Sequence, residues 1–332
     1  MNLPRITIVV PSYNQSQYLE QTIDSVLTQH YPSLDFMIID GGSTDTSIEL
    51  IRKHERYLSY WVSEKDNGQS DAINKGLCRA TGSIFNWLNS DDYYEPGALH
   101  AIADGFSREP EKKIICGYTQ CFYEESKTTS HTYRMGTRAT VAETIMNVEM
   151  NQPGSFYRME ALRELGFLNS SLRYVFDGEL WFRFLTKYGL MAVGYTDSLI
   201  AHFRLHETSK SVGDGFFEFY KEFLNIHLFL AKQLHLMPAI INYLENDQYI
   251  ERYVPGNWDY TFLEKEALEN IFAEKYKFLL YKDYYYETAR IGMRYYRMQA
   301  KQEQWLAHLK LTAKLVLPDA LINLLRQINK GK

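Results

Sequence analysis

The sequence predicts an α/β fold, a mostly parallel sheet flanked by helices, followed by a helical C-terminal region. Two observations carry the first part. Over the first hundred residues, short β-branched apolar runs alternate with stretches of helical apolar spacing. Polar and acidic residues gather where each apolar run stops. The second part rests on the chain beyond Gly215, which is aromatic and helical in pattern throughout.

RITIVVPS (Arg5 to Ser12) has the composition of a buried strand closed by Pro11. SQYLEQTIDSVLTQ follows, with Leu19, Ile23, Val26 and Leu27 at helical spacing and Ser16 as the expected N-cap. LDFMIID (Leu34 to Asp40) is the second strand. GGSTD is a turn whose Thr44 or Asp45 caps a helix over SIELIRKHE. YLSYWVSEKD is the third strand, GQSDAINKGLCRAT a helix stopping near Gly82, and SIFNWLNSDD the fourth strand. Strands and helices alternating at this spacing require right-handed crossovers and parallel neighbours. Ligands of such sheets sit at the carboxyl ends of the strands. Those ends carry Ser12, Tyr13 and Asn14, then Asp40, then Glu64 and Asp66, then Asp91 and Asp92.

After Lys113 the pattern is less regular. IICGYTQCFY (Ile114 to Tyr123) is a strand and residues 124–135 a polar hairpin or loop. VAETIMN is a short helix, and NQPGSFYRMEALRELG passes from a loop into a helix ending at Gly166. VFDGELWFRFLTKYG sets Asp177 at a helix start, where a carboxylate is favoured by the helix dipole. Leu180, Trp181, Phe184 and Leu185 form that helix's apolar face, so Trp181 is read as core. A strand pair around MAVGYTDSLIAHFRL precedes the polar loop HETSKS. Three helices follow: FFEFYKEFLNIHLFLAKQL, EKEALENIFAEKYKFLLYK and DYYYETARIGMRYYRMQAKQEQWLAHL. They suit a bundle packed on the first domain or between subunits of a homo-oligomer.

The chain has 332 residues, a formal net charge of −5, 26 Tyr and 18 Phe. The acidic balance speaks against nucleic acid as a partner. Three cysteines without a CxxC pair speak against a disulfide framework or a zinc site and fit a reducing compartment. The N-terminal apolar run is too short for a signal peptide, and no stretch is long enough to span a bilayer. The expected location is cytoplasmic, with peripheral attachment to the inner face of the membrane left open. GxGxxG and GxxxxGK[ST] are both absent, which disfavours a Rossmann dehydrogenase and a P-loop enzyme. The adjacent Asp91 and Asp92 are either a solvated turn or a hard-cation site, where a metal turns their repulsion into attraction.

Five motifs occur in order: VVPSYNQSQYLEQTIDSVLTQ, IIDGGSTDTS, SEKDNGQSDAINKG, NWLNSDD and FDGELWFR. Together, over about residues 4–212, they resemble the family 2 glycosyltransferases. The resemblance implies a GT-A-like, Rossmann-type catalytic domain over residues 1–214, with residues 215–332 as a helical region for packing, oligomer or membrane-surface contact. It implies inverting transfer of a sugar from a nucleotide-diphosphate donor, a UDP-sugar first, to a hydroxyl of a glycan or lipid-linked glycan, as in cell-surface polysaccharide synthesis. A divalent cation, Mn²⁺ or Mg²⁺, belongs to that chemistry.

Carried over position by position, Pro11, Ser12, Tyr13 and Asn14 line the base and ribose pocket, and Asp40 accepts a hydrogen bond from the base. Gly68, Asp71, Lys75, Asn89, Ser90 and Asp91 join the nucleotide-sugar site, and Arg204 and Lys210 meet the diphosphate. Asp91, Asp92 and His206 are the metal ligands, and Asp177 is the catalytic base. The chain departs from the family pattern at three places: Asn89 stands where the aspartate motif often begins with Asp, Phe176 replaces a Glu before Asp177, and Ile73 replaces a frequent Arg. Glu179 is the competing base.

Blander roles exist for each. Asp40 can cap its own turn, Asp177 can be an N-cap, His206 a structural histidine and Lys210 a solvated charge. Two rival functions stand beside the transferase: a non-catalytic nucleotide-sugar-binding or scaffold protein, and a nucleotidyltransferase, which would need a Gly-rich basic loop that PSYNQSQYLE lacks. Between Arg290 and Lys332, nine basic residues face only Glu303 and Asp319, and Leu321, Leu324, Leu325 and Ile328 share a helical face. Such a segment lies on an anionic membrane or covers protein.

Overall fold

A computed structural model describes residues 3–207, 209–210, 215–236 and 253–288, with residues 238 and 241. The chain divides into two compact units, residues 1–236 with 247–271, and residues 237–246 with 272–332. The basic segment after Arg290 lies outside the described residues.

The first unit is built on one mixed sheet of nine strands in the order β3-β2-β1-β4-β8-β6-β9-β5, with β7 on the flank of β6. β1 (Ile6–Ser12), β2 (Leu34–Asp40), β3 (Tyr60–Ser63) and β4 (Ile84–Trp87) run parallel, as the alternation with helices requires. β5 (Tyr93–Tyr94), β7 (Thr129–Arg134) and β8 (Ser155–Arg158) pair antiparallel with their neighbours, whereas β6 (Ile114–Tyr123) and β9 (Val193–Leu205) pair parallel. The register sets Ser12 beside Asp40 and Asp40 beside Ser63, so three strand ends share one rim.

Both faces of the sheet are buried. Ile6, Ile8 and Val10 face α1 (Ser16–Leu27), α2 (Ser47–His54) and α4 (Ala98–Arg108) through Leu19, Ile23, Ile51, Leu99 and Ile102. Val9 turns to the other face. There it meets α3 (Gln69–Arg79), α5 (Val141–Met146), α6 (Met159–Leu165) and α7 (Phe176–Tyr188) through Ile73, Ile145, Leu162, Trp181 and Phe184. Each such side chain, fully withdrawn from water, contributes about 1.5–3 kcal/mol. The fit of α3 on β1 is close: a Cβ on Gly76 would come within 2.5 Å of Val9. Ile73, with no exposed surface, is core rather than site.

Several elements differ from expectation. The segment read as a strand pair is the single thirteen-residue β9. Its polar Thr196 to Ser198 form an irregularity between the Cys116–Tyr195 and Tyr118–Leu199 pairings with β6, a bulge that looks like a turn in sequence. Ser16 is the first helical residue and not the cap; Asp45 instead accepts the N–H of Ser16 at 2.9 Å and of Ser47 at 3.0 Å, serving two helix starts. β5, α4 and β8 were not anticipated. α8 (Gly215–Gln233) follows, and α9 (Lys265–Thr288) runs unbroken through the junction expected at Lys282 and Asp283. Among the described residues no helix is long and apolar enough to cross a membrane.

Candidate active site

At the end of β1, Ser12 is buried and its hydroxyl finds no partner among the described residues. Tyr13 beside it is 60% exposed. Asn14 adopts a left-handed φ of 52°, a conformation asparagine tolerates. Its N–H donates to Ser43 Oγ at 2.8 Å, and its Oδ1 accepts the Thr44 N–H at 2.8 Å. The loops after β1 and β2 are thereby latched together.

Asp40 holds that second loop. It has no exposed surface, and its carboxylate accepts the N–H groups of Gly42 and Ser43 and the hydroxyls of Ser43 and Ser63 at 2.5–3.0 Å. The carboxylate expected to meet a base holds its own turn and a neighbouring strand. Gly68, at φ 116°, opens α3, and its N–H is held by Asp66. Asp71 accepts the Asn67 N–H, while Lys75 lies 2.9 Å from Glu64 and 3.8 Å from Asp71. The hydrogen bond to Glu64 keeps the Lys75 ammonium above its ordinary range.

The acidic pair splits into two roles. Asp92 is 1% exposed; its Oδ1 accepts the Arg204 N–H at 2.9 Å and its Oδ2 the Asn89 amide at 3.2 Å. Burial, followed by the charge of Asp91, pushes its pKa well up. Asp92 is a bracket between β9 and its own turn. Asp91 faces outward by comparison, and its Oδ2 lies 2.9 Å from Nε2 of His206. The ring of His206 also packs against Tyr18.

The Arg204 guanidinium is nearly enclosed, donating to the Asp91 carbonyl at 2.7 Å, to Gln21 at 2.6 Å and to the Glu124 carboxylate, and it lies 4.5 Å over the Tyr18 ring. Those hydrogen bonds fix the Asp91 backbone. The cation that faces the site is Lys210. Its Nζ donates to Gln69 Oε1 at 2.8 Å and to the Arg173 carbonyl at 3.2 Å. Gln69 in turn donates to Asn89 Oδ1 at 2.7 Å. A hydrogen-bonded line thus runs from the loop after β9, across the start of α3, into the aspartate turn. Lys210 is exposed, with its ammonium held by Gln69 and the Arg173 carbonyl. Desolvation and then the charge of Arg173 lower its pKa against the pull of Asp177, Glu222 and Asp91.

Asp177 occupies the start of α7, with its Oδ1 accepting the Gly178 N–H at 2.8 Å. It keeps some exposed surface. Burial raises its pKa to about 6, opposed by the Gly178 N–H and by Lys210 and helped by Glu222. The Tyr133 phenol feels both the Asp92 and the Asp177 charge. Glu179, the competing base, is fully buried: it pairs with Arg183 at 2.8 Å and accepts from the Tyr253 hydroxyl at 2.8 Å. It is a structural ion pair.

The structure adds residues that sequence reasoning passed over: Gln69, Gln21, Glu124, Tyr133 and Glu222. Gln69 stands inside a quoted motif and was within reach; Glu222 lies in an aromatic helix with no local signal. Among the described residues no group of three His, Cys, Asp or Glu is poised for a metal. Asp91 and His206 are a two-donor set of oxygen and imidazole nitrogen, which suits Mn²⁺ or Mg²⁺ provided that phosphate and water supply the other ligands.

Comparison with known proteins bears on the fold and on the family resemblance. Residues 7–166 match the family described as Glycosyl transferase family 2. An uncharacterized glycosyltransferase of Rickettsia typhi is 24% identical over 218 residues, 61% of this chain and 65% of that protein. Chondroitin synthase of Escherichia coli is 31% identical over 121 residues, 35% of this chain but 17% of the synthase. The match thus spans under two thirds of these relatives' lengths. Among solved structures, S. aureus TarS 1-349 in complex with UDP-GlcNAc aligns with a TM-score of 0.55 at 16% identity, covering 94% of this chain and 82% of that one, a likeness of fold. The match over residues 7–166, the ordered motifs and the GT-A-like sheet make this part of the chain similar to glycosyl transferase family 2.

Proposed function

We propose that this chain transfers a sugar from a nucleotide-diphosphate donor to an acceptor hydroxyl with inversion. The observation that supports the reading is that Lys210 feels the charge of both Asp177, whose pKa is raised to about 6, and Asp91, which lies 2.9 Å from His206. A general base works best when its pKa lies near the operating pH. At neutral pH Asp177 is ionised and still basic enough to take a proton.

In the proposed reaction the acceptor oxygen forms a bond to the anomeric carbon as the bond to the diphosphate breaks, its electron pair leaving with the nucleotide. The acceptor proton passes to the Asp177 carboxylate, a contribution of roughly 10²–10⁴ in rate. The leaving diphosphate gains negative charge, and Lys210 stands where a fixed cation favours it. Asp91 and His206 would hold a divalent cation, which when bound supplies Lewis-acid stabilisation of that same charge. The nucleotide pocket is assigned to Pro11 to Asn14, with the exposed ring of Tyr13 and the unpartnered hydroxyl of Ser12 as its contacts. Gly68, Asp71, Lys75, Asn89 and Ser90 form the wall opposite. UDP is the favoured nucleotide, because TarS of the same fold was crystallised with UDP and with UDP-GlcNAc. A glycan or lipid-linked glycan acceptor, a cytoplasmic setting at the membrane's inner face, a homo-oligomer and a division of labour between residues 1–214 and 215–332 complete the proposal. The non-catalytic alternative draws on Asn89, whose amide is engaged with Asp92 and Gln69.

The test is UDP release from UDP-GlcNAc and other UDP-sugars with Mn²⁺, in wild type and D177N. Metal-dependent release that D177N loses supports the reading. Release that D177N keeps in full overturns Asp177 as base.

A further inference from the structure

We propose that Glu222 of α8 is a positioning residue for Asp177, its carboxylate fixing the backbone of residues 173–175 that leads into α7. Sequence gives α7 no cap: Val175 is the N-cap position, and no side chain of its own makes the capping bond. The first free N–H groups of a helix and those just ahead of it need acceptors. Glu222 supplies them from another element. Its Oε1 accepts the Arg173 N–H at 2.8 Å, and its Oε2 accepts the Tyr174 and Val175 N–H groups at 2.8 and 2.9 Å.

Three charge-assisted hydrogen bonds on three consecutive residues leave that segment little freedom. Two things depend on it. Asp177 stands two residues beyond Val175, held by the Gly178 N–H. The Arg173 carbonyl, in the same segment, is one of the two acceptors that hold Lys210 Nζ. Glu222 therefore sets the base and the cation together. Next to Glu222 on α8, Phe223 closes over Gly178, where a Cβ would come within 2.9 Å of the ring, so the helix cannot be moved away from Asp177 without losing that packing.

The inference rests on the reading of Asp177 as base, and its test separates the two. The charged and titratable groups that act on Asp177 are Lys210 from the loop after β9 and Glu222 from α8, and Tyr133 of β7 and Tyr157 of β8 feel its charge. Removing the Glu222 charge leaves Lys210 unopposed, which moves the Asp177 titration downward. The experiment compares wild type, E222Q and E222D by amide hydrogen exchange over residues 173–178 and by carbon-detected titration of the Asp177 carboxyl, assigned by difference from D177N. UDP release from UDP-GlcNAc is followed against pH in parallel.

E222Q is expected to exchange at least tenfold faster in that segment, to titrate lower at Asp177 and to move the acid limb of the UDP-release profile with it, at unchanged donor KM. E222D, which keeps the carboxylate, restores part of each. If E222Q does not fold, E222D against wild type carries the same readouts, with intermediate exchange as the expected result. Unchanged exchange and an unchanged Asp177 titration in the folded variant overturn the proposal. A wild type that releases no UDP counts against the proposed reaction, and exchange and titration then decide on Glu222 alone.

Discussion

Lys210 Nζ donates to Gln69 Oε1 across 2.8 Å, and through that contact the loop after β9 is tied to the N-terminus of α3. Gln69 passes the connection to Asn89, and so to the aspartate turn. Three elements remote in sequence share one polar line. The position where an Asp is frequent holds an amide that both donates and accepts, a role a carboxylate cannot fill.

The cation at the head of this line should matter to turnover more than to stability. K210M is expected to lower kcat for UDP release by about 10²-fold, the scale of removing one preorganised charge or donor from a transition state. Q69A, which only loosens the same ammonium, should cost less. Steady-state kinetics with the Tm of each variant checks the order; equal losses in both would point to a different job for Lys210.

Asp177 should trade activity against stability. Its folded pKa lies above the ordinary value of 3.8, at about 6, so its contribution to stability is full below the unfolded pKa and is lost as pH rises through the folded one. A shift of two units corresponds to about 3 kcal/mol. D177N should therefore be more stable than wild type at pH 8 by up to about 3 kcal/mol, and the advantage should fade toward pH 4. Urea melts at both pH values measure this. In wild type, UDP release should rise with pH through about 6 as the carboxylate ionises.

The metal reading makes a binding prediction independent of turnover. Wild type with UDP should gain Tm on adding Mn²⁺, since a ligand at a hundred times its Kd stabilises by about 2.7 kcal/mol. D91A and H206A should lose that gain. A full Mn²⁺-dependent shift in D91A would remove Asp91 from the site.

Glu179 and Arg183 offer a control outside the chemistry. Both are buried and paired, and Arg183 also donates to the Leu165 and Phe167 carbonyls. E179A should destabilise the fold by about 3–5 kcal/mol, because an unpaired guanidinium is left inside. Chemical denaturation reads this directly, and a loss under 1 kcal/mol would mean that the pair is relaxed in solution.

Periodicity determined the four parallel strands, α1 to α3, the apolar face of α7 and the rim where Asp40, Asp91 and Asp92 collect, because side-chain spacing of two or of 3.6 residues is a local property. α4 was open to the same reasoning, since Leu99, Ile102, Ala103 and Phe106 are spaced for a helix. β8 was hidden because four residues running into a helix carry no alternation to count. Only the tertiary structure decided which polar groups face outward. Asp40, Asp92, Glu179 and Arg204 are the right residue types in the right motifs, yet each is drawn inward by donors or acceptors that include one from a distant element: Ser63, the Arg204 N–H, Tyr253 and Gln21. A carboxylate's role depends on whether its lone pairs are already taken, and the partners that take them, like Glu222 on the 173–175 backbone, lie at sequence separations over which no local pattern operates.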